Sequence, residues 1–169
     1  NKTRKEGVKM KVLIVYYSQS GTTKHLAELI KVITGADLIE IHELHPYSSD
    51  YDKMLKEVRE EMDAGMDREY IPVDVNMDEV DVCFVGTPNW GGMVACPLAT
   101  FLKDHDFTNK KVVPFLTHGG AGEQDIEEHI AQLCKGAVVT PSYISFGKVE
   151  HDELDELQEW VHTVAPEIF

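Results

Sequence analysis

The sequence predicts a three-layer α/β sandwich. Three observations predict it: apolar runs alternate with amphipathic stretches, two of those runs are nearly unbroken in apolar residues, and the chain suits one core. Its 169 residues and 43% hydrophobic content are enough for a single ordinary domain. We read residues 1–9 as an N-terminal extension and 10–169 as that domain.

The predicted strands are Met10 to Tyr17, Asp37 to His42, Val80 to Thr87, Lys111 to Thr117 and Ala137 to Phe146. The first and third are nearly continuous in apolar residues, as befits strands covered on both faces of a parallel sheet. Between the strands the apolar period changes from two to about 3.6, the spacing of helix faces. Leu26, Leu29, Ile30 and Ile33 mark the first helix, and Tyr51, Met54, Leu55, Val58 and Met62 the second. Leu98, Phe101 and Leu102 mark the third, Ile126, Ile130 and Leu133 the fourth. Leu154, Leu157, Val161 and Val164 mark the last, with Trp160 at its edge. Strands alternating with helices imply right-handed crossovers that place helices on both faces. The stretch from Pro46 to Met77 is too long for a plain connection and reads as an enlarged crossover around the second helix.

Sixteen basic side chains against 30 acidic ones give a net charge of −14, which argues against nucleic acid and anionic membranes and favours basic protein partners. No stretch approaches the roughly 18 apolar residues of a membrane span. Cys83, Cys96 and Cys134 form no C-x-x-C pair and no metal-ligand spacing. Three such thiols are expected of a reduced, cytoplasmic protein rather than a disulfide scaffold.

In an open parallel sheet, ligands sit beyond the carboxyl ends of the strands, so the loops after strands one, three and four carry the argument. The first is Ser18-Gln19-Ser20-Gly21-Thr22-Thr23. Gly21 permits a positive φ, and peptide N–H groups at a helix start converge on an anion. With no Lys or Arg inside it, the loop is either a phosphate cradle of neutral donors or a turn with a hydroxyl helix cap. It fits neither G-x-x-x-x-G-K-[ST] nor G-x-G-x-x-G. The second loop holds Pro88, Asn89, Trp90, Gly91 and Gly92. An indole beside two glycines suits stacking on a planar heterocycle, or it folds back onto the sheet. The third holds Thr117, His118, Gly119 and Gly120, either polar contacts to a ring edge or a turn around a solvated histidine.

Together the three loops resemble those of the flavodoxins. Ser18 to Thr23 matches that family's [ST]-x-[ST]-G-x-T phosphate loop, and "PNWGG" and "THGGAG" stand where its aromatic and glycine-rich loops stand. The resemblance implies a five-stranded parallel sheet of order 2-1-3-4-5, helices on both faces and an FMN cofactor. It implies that Ser18, Ser20, Thr22 and Thr23, with the peptides of Gln19 and Gly21, hold the FMN phosphate. It places Pro88, Asn89, Trp90, Gly91 and Gly92 along one side of the flavin, and Thr117, His118, Gly119 and Gly120 along the other edge. The loop after strand four lacks the aromatic that flavodoxins commonly place there, so Tyr47, Tyr51, Tyr70 or Met93 covers that face, or it stays open.

The expected function is low-potential electron transfer between redox partners, as a monomer or weak dimer that docks on basic proteins. The rival expectation is an NAD(P)H-dependent quinone or small-molecule reductase on the same fold. The uncovered face favours the reductase; the acidity and the lack of a basic site for an NADP phosphate favour the carrier. A phosphate-receiver module of the same topology is disfavoured, because Tyr17-Ser18 stands where its acceptor Asp would be.

Overall fold

The computed structural model describes residues 9–65, 67–118, 123–146 and 151–169. Its strands are β1 (Val12–Tyr16), β2 (Asp37–Glu40), β3 (Val82–Pro88), β4 (Lys111–Thr117), β5 (Val138–Val139) and β6 (Tyr143–Ser145). The helices are α1 (Thr22–Thr34), α2 (Tyr51–Asp63), α3 (Cys96–Asp104), α4 (Glu123–Leu133) and α5 (His151–Val164). All pairings between strands are parallel, and the order is β2-β1-β3-β4-β5, with β6 also on β4. The order implied by the resemblance is therefore the order observed.

Alternation along the central strands explains their unbroken apolar character. Leu13, Val15, Cys83, Val85, Val112 and Leu116 face one core with α2, α3 and α4. Val12, Ile14, Val82, Phe84, Val113 and Phe115 face the other, with α1 and α5. Every residue of β1 and β3 is buried. Each large side chain so placed contributes about 1.5–3 kcal/mol relative to exposure. Trp160 packs at the edge of the second core, near Phe84 and Tyr143, with its Nε1–H donating to the Pro141 carbonyl at 3.4 Å.

The bounds of several strands need correction. The stretch from Ala137 to Phe146 is not one strand: β5 and β6 both lie beside β4 and are separated at Thr140–Ser142. Pro141 has no N–H to donate, and the Thr140 hydroxyl turns onto the Pro141 carbonyl at 3.1 Å. The first strand begins at Val12 rather than Met10, and the second ends at Glu40 rather than His42.

The enlarged crossover folds back on itself. Glu43 and Tyr70 form an antiparallel bridge, with the Leu44 N–H donating to Glu69 at 2.9 Å and the Ile71 N–H to His42 at 2.8 Å. Its return limb is fastened to α3, through the Arg68 N–H on Thr100 Oγ1 at 3.1 Å and the Tyr70 hydroxyl on Asp104 at 2.9 Å. Between the two limbs α2 starts under an Asp50 cap, whose carboxylate accepts from the Lys53 N–H at 3.1 Å. Met54 and Val58 press this helix onto the first core.

Candidate functional site

Register brings the starts of the three loops to one sheet edge. Tyr16 of β1 stands opposite Gly86 of β3, and Pro88 of β3 stands opposite Thr117 of β4. The pairing runs on into the loops: Tyr17 N–H donates to Gly86 at 3.0 Å, Asn89 N–H to Thr117 at 3.2 Å, and His118 N–H to Ser145 at 2.8 Å.

The loop after β1 presents an array of donors. Gly21 has φ of 93° and caps α1 without a side chain, a backbone state that other residues adopt only with strain. Ser18 Oγ takes over part of the capping by accepting from the N–H groups of Gly21 at 3.1 Å and Lys24 at 3.2 Å. The Gly21 peptide, expected to face a phosphate, is therefore directed into the loop. Thr22 and Thr23 begin the helix and have no intrahelical acceptor. Among the described residues, the N–H groups of Gln19, Ser20, Thr22 and Thr23 donate to nothing. Ser20 Oγ and Thr22 Oγ1 lie 3.3 Å apart on the exposed side of the loop. The first turn of α1 carries no acidic residue, in a chain that has 30 of them. Lys24 leans 3.8 Å from Glu40, so its charge is partly countered. This set of neutral donors at a positive helix end fits a phosphate.

Thr23 and Thr117 are both buried, and their hydroxyls meet at 2.8 Å. That bond ties the first loop to the end of β4. One hydroxyl of the pair donates and the other accepts, which leaves a single proton for any further partner.

Loop two is a tight hairpin. Trp90 and Met93 exchange both backbone hydrogen bonds, at 3.2 and 3.1 Å. Between them Gly91 and Gly92 have φ of 63° and 81°, as a two-residue turn with two left-handed positions requires. Asn89 Oδ1 accepts from the Gly92 N–H at 2.8 Å. Trp90 is half-buried against the first core, and its ring meets Tyr17 at 5.6 Å and Tyr47 at 5.8 Å, edge to face in each case. Of the four residues considered for the other flavin face, Tyr47 and Met93 lie beside this loop, whereas Tyr70 bonds to α3 and Tyr51 is exposed on α2.

The loop after β4 leaves the sheet at His118, which is exposed with φ of 56°. Gly119 and Gly120 lie outside the described residues.

A sequence profile of the family described as Flavodoxin matches residues 11–164. The chain belongs to the flavodoxin family. A provisionally named flavoprotein from Bacteroides eggerthii is 25% identical with a TM-score of 0.78, covering 92% of this chain and 98% of its own. A flavoprotein from Lactobacillus acidophilus, crystallised in complex with FMN, is 26% identical with a TM-score of 0.70, covering 89% of this chain and 99% of its own. Oxidised flavodoxin 2 from Bacillus cereus, 20% identical with a TM-score of 0.60, covers 92% of this chain and 98% of its own and shares the fold. No protein of curated function has a matching sequence.

Within this flavodoxin fold, two further groups support loop two; of their members the sequence pointed only to Tyr47, and not to His129, Glu61 or Arg68. His129 of α4 is buried and accepts the Val94 N–H on Nδ1 at 3.1 Å. Burial, with a lesser contribution from Lys103, holds its pKa below the ordinary value. The other group lies on the crossover side. The Tyr47 hydroxyl donates to Glu61 Oε2 at 2.6 Å, and the Arg68 guanidinium lies over the Tyr47 ring at 3.8 Å while bonding Glu61 Oε1. Burial opposes the Arg68 charge, but the hydrogen bond and charge of Glu61 outweigh it and raise the pKa. Burial, then the Glu61 bond, pushes the Tyr47 phenol far above its usual range. Burial likewise pushes the adjoining Cys96 thiol up to about 12, with Glu61 adding to it, so this cysteine is protonated and unreactive at neutral pH.

Proposed function

We propose that the chain binds FMN across the three loops and carries electrons between protein partners. The observation that carries this reading is the pairing of two features at one sheet edge: an acid-free helix start whose N–H donors are unspent among the described residues, and a half-buried indole in the next loop. The N–H groups of Gln19, Ser20, Thr22 and Thr23 and the hydroxyls of Ser20 and Thr22 would hold the phosphate, with Ser18 bracing the loop from inside. Trp90 and the Gly91–Gly92 turn would line one side of the flavin, and Thr117 and His118 its far edge. The flavoprotein from Lactobacillus acidophilus, whose structure contains FMN, supports the choice of flavin.

When bound, FMN supplies the redox chemistry, and the protein sets affinity, potential and access. An aromatic wall and a strongly acidic protein both disfavour added negative charge on the ring, so both lower its potential. Docking on basic partners follows from a net charge of −14.

The deciding measurement is anaerobic reduction of the FMN-loaded protein. Slow bleaching with NADH or NADPH alone, and prompt bleaching when a flavodoxin reductase is added, is the expected result. Rapid bleaching by a nicotinamide without a reductase would establish the NAD(P)H-dependent reductase instead. Failure of the purified protein to bind FMN at micromolar concentration would overturn the cofactor assignment.

A further inference from the structure

The enlarged crossover does more than join β2 to β3. Its return limb carries Arg68, whose guanidinium covers the Tyr47 ring at 3.8 Å and whose Nη2–H bonds the His45 carbonyl, so both limbs are clamped by one side chain. Glu61 of α2 accepts from both Arg68 and the Tyr47 hydroxyl. Tyr47, fixed at its face and at its hydroxyl, presents its ring to Trp90 at 5.8 Å and 78°. The side chains of Arg68 and Glu61 are only 16% and 15% exposed, so the pair is shielded from salt far better than a surface bridge.

From this geometry we infer that Arg68 and Glu61 are positioning residues for Trp90: through Tyr47 they fix the indole at the orientation that receives a flavin. The inference rests on the FMN reading for its purpose, but the placement of the indole is measurable without cofactor. A guanidinium stacked on a phenol, with a carboxylate holding both, restricts the ring at its face and at its hydroxyl. Without that clamp the Tyr47 ring is less restricted, and the aromatic wall it gives Trp90 is less firmly fixed. The crossover thus contributes order to the site without touching the phosphate loop.

A double-mutant cycle tests this on the full chain. Trp90 and Trp160 are the two tryptophans, so a Trp160→Phe background leaves Trp90 as the sole indole reporter. In that background, Arg68→Met and Glu61→Gln are each expected to weaken the near-UV dichroism of Trp90 and make its fluorescence more accessible to acrylamide, with far-UV dichroism unchanged. FMN affinity is expected to fall about tenfold, as coupling between contacting residues allows. In a Trp90→Ala background the same changes should alter FMN affinity by less than about twofold. Tyr47→Phe, which keeps the ring and loses the Glu61 bond, should lie between. An unchanged Trp90 signal in both variants overturns the inference, as does an equal loss of affinity with and without Trp90. If Arg68→Met does not fold, Glu61→Gln decides by the same two criteria. Absence of FMN binding in the unmodified protein would overturn the proposed function, while the indole signal still decides whether Arg68 and Glu61 position Trp90.

Discussion

Thr23 and Thr117 are 94 positions apart, and their hydroxyls meet in the interior at 2.8 Å. Changing Thr117 to Val keeps the shape and leaves the Thr23 hydroxyl buried without that partner, which costs about 1–3 kcal/mol. Urea denaturation should show this loss, and Thr117→Ser should recover most of it. Trp90 is expected to act on binding more than on folding, because it is only half-buried. Trp90→Ala should weaken FMN binding and raise the flavin potential, since the wall that disfavours the electron-rich ring is gone. An unchanged affinity and visible spectrum would return Trp90 to a core role. Placing Asp at position 20 should expel the cofactor by setting like charge against the phosphate. Retention of yellow colour through gel filtration by Ser20→Asp would refute the cradle.

At the scale of elements, α4 supports loop two through a neutral histidine. The folded-state pKa of His129 lies below its ordinary 6.5, so the unfolded chain binds the proton more readily than the folded one. Stability from this group is therefore complete above about pH 6.5 and is lost as pH falls through the folded value. Among the described residues the Val94 N–H donates to the unprotonated Nδ1, so protonation breaks the bond that follows the Trp90 hairpin. The charge of Lys103 opposes protonation further. Below pH 6 the protein should lose stability more steeply than its His129→Gln variant, whose amide oxygen can still accept; parallel pH profiles would rule this contribution out.

The helices and the first four strands were legible because each carries a periodic apolar face. The fifth strand was misread for the same reason: "AVVTPSYISF" keeps its apolar character across Pro141, and the break depends on a missing N–H rather than on hydrophobicity. The three loops were legible from glycines and hydroxyls after apolar runs, and their meeting follows from strand order. Their supports were not. Arg68, Glu61 and Tyr47 lie in the stretch read only as an enlarged crossover, Tyr47 was foreseen as a cover for the flavin and not as a partner of the other two, and no period links positions 47, 61 and 68. His129 sits on a helix whose apolar marks are Ile126, Ile130 and Leu133, and nothing local says that its ring reaches Val94.

For the molecule as a whole, charge is the dominant feature bearing on partners. The net charge is −14, and several of its cations already have acidic neighbours: Lys11 with Asp37, Lys103 with Asp67, Lys111 with Glu167 and Lys56 with Glu60. The remaining field is negative, and it attracts a basic protein over distances comparable with the Debye length, about 10 Å at 0.1 M salt. A docking rate driven by that field falls steeply with ionic strength, whereas the encounter with a small nicotinamide, itself anionic, gains from screening. Stopped-flow reduction by a basic reductase should therefore slow by about tenfold or more between low salt and 0.5 M, while any direct reduction by NADH should stay level or quicken. A reductase rate indifferent to salt would mean that the acidic surface serves solubility alone. Opposite salt responses for the two donors would connect the composition of the whole chain to its choice of electron source.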